Sequence, residues 1–189
     1  MLDLIGIIYY TLSTLSLLGI FPIGVYEFLD LREGFAISDY GYLFETGIYF
    51  SISSVITGLL CGLDAITNPV YKKVDKLLYN YHALSSFTIM GIGFFPLTGE
   101  PGWSYSRIIH WLFALSFLYV YPFTRLLILR YYSKILFRRL FIFFLIINIA
   151  GLLVIPFVGI QRVAYTEYLI WLALLITITA SSIFLSRKS

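Results

Sequence analysis

The sequence predicts an all-α integral membrane protein: a single bundle of six transmembrane helices over residues 1–189, with both termini on the cytoplasmic side. Three observations predict it. Hydrophobic residues make up 60% of the chain and charged residues 12%, a balance that leaves too little polar surface for a soluble domain of 189 residues. The apolar residues gather into six stretches near the roughly 20 residues that cross a hydrocarbon core about 30 Å thick. Lys and Arg are divided unequally between the two sets of connecting segments.

The spans are read as Leu4–Val25, Leu43–Leu63, Leu77–Leu97, Ile108–Leu129, Leu140–Gly159 and Tyr168–Leu185. Helix is the structure expected for each. A strand in lipid leaves backbone groups unpaired, and the period-two alternation of a barrel is absent. Met1-Leu2-Asp3-Leu4 lacks the basic start of a signal peptide, so the first stretch is read as a retained helix. Pro22 and Gly24 mark the end of the first span, Asn68-Pro69 that of the second, and Pro96, Gly99, Pro101 and Gly102 that of the third. Pro122 and Pro156 fall within spans, where kinks are expected.

Orientation follows from the basic residues. Lys72, Lys73, Lys76, Arg130, Lys134, Arg138, Arg139, Arg187 and Lys188 fall on one side, and Arg125 is expected to snorkel to the same side. Only Arg32, Arg107 and Arg162 fall on the other, so the basic side is read as cytoplasmic. Seven of the ten acids divide the opposite way, leaving Asp3, Asp64 and Asp75 inside. Trp103, Trp111 and Trp171 are placed in an outer aromatic belt, and Tyr71, Tyr79, Tyr131 and Tyr132 in an inner one. The net charge of +3 is thereby explained by topology, and no nucleic-acid partner is expected. The partners expected are membrane lipids and other membrane subunits.

Span two carries small residues at Gly47, Ser51, Ser54, Gly58 and Gly62, spaced to share one helical face. Gly58 and Gly62 form a GxxxG match, the pattern that lets helix backbones approach closely in lipid. The expectation is a packing face within the bundle. Cys61, the one cysteine, is expected to pack as a small hydrophobe. Asn148 is expected to hydrogen-bond across helices.

Catalytic and metal motifs are not found. No Gly-x-Ser-x-Gly, Cys-x-x-Cys-His or His-Glu-x-x-His occurs, and Gly91-Ile92-Gly93 lies mid-span without the strand a phosphate loop needs. His82 and His110 sit near opposite ends of spans three and four, about 15–20 Å apart along the membrane normal, so they cannot share a metal. No cofactor is predicted; haem held by one histidine together with a partner chain stays open. The candidate polar site is the outer mouth. Glu45 opens span two, Arg107 and His110 open span four, Glu167 opens span six, and Asp39 and Glu100 lie in adjoining loops. Carboxylates and a histidine at one depth could bind a cation, relay protons or grip a headgroup. Glu45 and His110 are expected to pair.

Two stretches also carry a resemblance. Ile37-Ser38-Asp39-Tyr40-Gly41 is followed by Leu43-Phe44-Glu45 and the small-residue span. Gly91-Ile92-Gly93-Phe94-Phe95-Pro96 is followed by a short loop, then His110 with Ala114 one turn later. Over residues 36–121 this order resembles the prokaryotic six-helix family called domain of unknown function 998, itself similar to the DRAM-like membrane proteins. The resemblance implies the six-helix fold and matches Asp39, Gly41, Pro96 and His110 to family positions. Glu45 stands where an asparagine would be expected. That family has no established chemistry. The leading expectation is a non-catalytic protein, either an accessory subunit of a membrane complex or a lipid-interacting protein. The alternatives are a small transporter or proton-conducting protein, or an intramembrane lipid-modifying enzyme.

Overall fold

The computed structural model describes the backbone of residues 1–20, 44–95, 105–158 and 163–188, and the side chains of 1–13, 47–95, 105–153 and 169–188. All regular structure among these residues is helical. Among the described residues the helices run along the bundle in six passes. The first is α1 (Leu2–Ile20) and the second α2 (Phe44–Thr67). The third is the pair α3 (Lys76–Ser86) and α4 (Thr88–Phe94). The fourth joins α5 (Tyr105–Leu115) to α6 (Tyr121–Tyr132), and α7 (Lys134–Val158) and α8 (Val163–Ser186) complete the bundle. Among the described residues, four segments are long and apolar enough to cross a membrane: Gly47–Thr67, Tyr105–Tyr132, Lys134–Leu153 and Leu169–Ser186.

Two passes depart from straight helices, for different reasons. The third is interrupted by a single turn residue at Phe87. Asp75 starts it by accepting from the N–H groups of Leu77 and Leu78. Further along, Ser85, Ser86 and Thr88 donate their hydroxyls to the carbonyls of His82, Ala83 and Ser85. Such back-bonding competes with the helical ladder and bends it. The fourth pass carries a π-helical turn at Ser116–Val120, closed by the Tyr121 N–H on the Ser116 carbonyl. Pro122 follows directly. It has no N–H to give Leu118, and its ring would crowd that carbonyl. The wider turn relieves both constraints, so the break expected at Pro122 takes the form of a π-bulge. The helix α7 is continuous through Pro156.

Packing is closest between α1 and α2, α2 and α4, and α7 and α8. The helix face of span two explains the α2–α4 approach. A Cβ on Gly58 would lie 2.2 Å from Met90 Cγ and 2.9 Å from the Met90 backbone nitrogen. One on Gly62 would lie 2.0 Å from the Phe87 ring. The Phe87 ring thus lies directly over the glycine. Ser54 on the same face is buried, and Gly47 and Ser51 are half-buried.

The core has two apolar clusters. One joins Ile7, Tyr10, Phe50, Ile89, Phe117 and Trp171. The other joins Leu126, Leu129, Leu140, Phe144 and Leu185 nearer the basic end. Trp171, placed by sequence in the outer belt, packs inside the bundle. It is 9% exposed, packs on Tyr10 with ring centroids 4.7 Å apart, and donates its indole N–H to Thr11 Oγ1 at 3.2 Å. Asn148 does not reach another helix through its amide nitrogen, which donates to Phe144 O one turn back at 2.7 Å. Its helix α7 lies at the periphery, with 22% of its apolar window buried against 44–56% in the other three long segments.

Candidate functional site

The most concentrated polar chemistry lies where the ends of α1, α2 and α8 meet α6, at the end of the bundle that carries Lys72, Lys73, Arg187 and Lys188. Its centre is Arg125, expected to snorkel but 1% exposed. A guanidinium at this depth cannot stand unpaired, and its partners come from α1, from α8 and from the short turn Tyr71–Lys73 that follows α2. Nη2 lies 2.7 Å from Asp3 Oδ2 in α1 and donates to Ser182 Oγ at 2.6 Å in α8. Nε donates to Ser181 Oγ at 3.1 Å, and Nη1 to the Tyr71 hydroxyl. The Arg125 Cζ also stands 4.9 Å from the Tyr71 ring centroid, within cation–π range.

The directions of these bonds are mutually consistent. Tyr71 accepts from Arg125 and donates to Asp64 Oδ2 at 3.0 Å. Ser182 accepts from Arg125 and donates to Asp3 Oδ2 at 3.0 Å. Ser181 accepts from Arg125 and donates to the Ile178 carbonyl at 3.0 Å. Each hydroxyl is therefore used once as acceptor and once as donor. Asp64 Oδ1 closes the start of α1, accepting from the Met1 nitrogen at 2.6 Å and the Leu2 N–H at 3.0 Å. Asp3 Oδ1 accepts from the Leu4 N–H at 2.7 Å. A carboxylate at the N-terminal turn of a helix also meets the positive end of its dipole.

Beside this network is a cavity of about 280 Å³, lined by Asp64, Tyr71, Arg125 and Ser182 on its polar side and by Leu2, Pro69 and Leu185 on its apolar side. Deeper in the bundle, His82 is buried between two tyrosines. Its ring is stacked on Tyr121 at 5.3 Å and edge-on to Tyr71 at 4.8 Å. Thr124 Oγ1 gives its proton to the Tyr121 carbonyl, so the 3.1 Å contact with His82 Nδ1 requires the imidazole to donate from Nδ1. Cys61 is buried nearby, its thiol 3.8 Å from the Asp3 carbonyl.

The outer mouth is described at only two of its six residues. His110 is fully buried, and its Nδ1 pairs with the Phe95 carbonyl at 2.8 Å. Nε2 has no hydrogen-bond partner among the described residues. Arg107 is half-buried. Asp39 and Glu100, and the side chains of Glu45 and Glu167, lie outside the described residues. Among the described residues no group of three His, Cys, Asp or Glu side chains could hold a metal ion.

Sequence reasoning missed the basic-end network because it took Asp3, Asp64 and Arg125 singly, two as acids counted on the cytoplasmic side and one as a snorkelling base. Tyr71, assigned to the inner belt, is likewise 0% exposed. The usable signal was that an ionisable residue inside a span is rare and demands a partner at its own depth. No protein-family model, curated protein or solved structure matches the chain.

Proposed function

We propose that the chain is a multi-pass protein of the cell membrane, with six spanning helices and cytoplasmic termini, that works by binding. It serves as an accessory subunit of a larger membrane complex or as a lipid-interacting protein. The observation that carries this reading is the Asp3–Arg125–Asp64 network. Its charged groups are engaged by one another and by hydroxyls from separate passes, which suits a fixed scaffold better than an acid–base pair waiting for a substrate. The kinship with the six-helix family sharing the Asp39, Gly41, Pro96 and His110 pattern belongs to the same proposal. The gathering of basic residues at one end supports the orientation.

Gentle solubilisation followed by mass spectrometry of what copurifies tests the function. A defined lipid or membrane subunit retained in stoichiometric amount is the expected result. Chemical turnover of an added lipid by the purified chain would overturn it. Reporters fused at Lys73, Lys134 and the C-terminus are expected to read cytoplasmic and one at Gly102 external. An external C-terminus would overturn the orientation.

A further inference from the structure

We infer that the basic-end cavity binds the phosphate-bearing headgroup of an anionic phospholipid. This deepens the binding reading above and rests on it. The cavity opens where α1 begins and α2 and α8 end, the depth at which inner-leaflet headgroups lie if the basic end is cytoplasmic. Its volume of about 280 Å³ equals that of roughly nine waters, enough for a small headgroup.

Charge selects the ligand's sign. The chain leaves the cavity wall at Tyr71 into Lys72 and Lys73, and at Ser186 into Arg187 and Lys188, and all four basic side chains are exposed. Basic pockets between membrane helices on the cytoplasmic side attract anionic headgroups. The acids nearby are already engaged. Asp64 accepts from Met1, Leu2 and Tyr71, and Asp75 caps α3. Arg125 forms the floor. Four of its five N–H groups serve Asp3, Tyr71, Ser181 and Ser182, while for the second on Nη1 the Asp64 Oδ2 stands 4.0 Å away, beyond hydrogen-bond length. A phosphate oxygen would meet that N–H, with Leu2, Pro69 and Leu185 against the glycerol and first methylenes. Salt would weaken the attraction at the exposed rim more than at the buried floor.

The test uses the full chain purified in a neutral detergent, with native mass spectrometry and thermal unfolding as readouts. The probes are phosphatidylglycerol, phosphatidylcholine and inorganic phosphate. The wild-type chain should retain phosphatidylglycerol at least about tenfold better than phosphatidylcholine. Thr67→Trp, at an exposed position of the cavity wall, should abolish the preference. The triple variant Lys72→Gln, Lys73→Gln, Arg187→Gln alters exposed side chains only and should weaken it by about the same factor with the unfolding curve intact. Equal retention of the two lipids, or an undiminished preference in either variant, overturns the inference. Displacement of phosphatidylglycerol by millimolar inorganic phosphate overturns the lipid as the source. A chain without lipid preference that still copurifies with a membrane subunit loses this site and keeps the binding function.

Discussion

The two ends of the bundle use polar residues in opposite ways. At the basic end, side chains from α1, α8 and the turn after α2 converge on Arg125, Asp64 of α2 joins through Tyr71, and the charges and hydroxyls answer one another. At the other end, His110 is buried on a single backbone contact, with Nε2 unpaired among the described residues. The contrast follows from what a low-dielectric interior demands. A guanidinium there is tolerable only when several donors are satisfied at once, so it recruits partners from whichever helices reach it. A neutral imidazole is tolerable with one. The first arrangement staples helices together; the second leaves a lone pair for a further donor.

The sharpest way to break the comparison is Arg125→Met. Removing the guanidinium leaves the buried Asp3 only the Met1 ammonium, 3.3 Å away, as a counter-charge, and a loss of about 3–5 kcal/mol is expected in detergent unfolding. Removing both charges, in Arg125→Met with Asp3→Asn, should recover a large part of that loss, because the cost comes mainly from the uncompensated carboxylate. Arg125→Lys should rescue poorly, since an ammonium cannot span Asp3, Tyr71 and both serines as a planar fork does. An unfolding curve unchanged in Arg125→Met would show that the network staples nothing.

A smaller effect separates packing from polarity. Gly58→Leu should cost about 1–3 kcal/mol, because its side chain must displace Met90, including backbone. Leu59→Ala, at a position 43% exposed, should stay within about 0.5 kcal/mol. Comparable, negligible losses for both would mean that the α2–α4 approach has slack.

The smallest expected effect bears on the opposite end. If Glu45 reaches His110, a double-mutant cycle with Glu45→Gln and His110→Ala should give a coupling of about 0.5–1 kcal/mol. Additive losses would remove the outer mouth as a paired site. Retention of lipid or subunit in His110→Ala would then make that histidine purely structural.

Helical character was legible in the chain itself, because an apolar segment in lipid must satisfy its own backbone and only a helix does so within one segment. Pro122 announced a break, and the Gly58–Gly62 spacing announced a face on which another helix could lie close. Neither said what form the break would take or which helix would come. Those answers depended on Ser116 lying five residues before Tyr121 in a widened turn, and on the Phe87 ring lying over Gly62 at an interruption flanked by three hydroxyl–carbonyl bonds.

The polar core shows the division most clearly. Composition and the run of basic residues by themselves determine an all-helical chain with one strongly basic end, since both properties add up along the sequence residue by residue. That Asp3 and Arg125, 122 positions apart, share a salt bridge was decided only by the tertiary structure. The same holds for Ser182, 179 positions from the Asp3 it bonds. Pairing of buried charges is a property of depth and azimuth in the assembled bundle, and a helix sets the depth of each residue while its neighbours alone set the direction it must face.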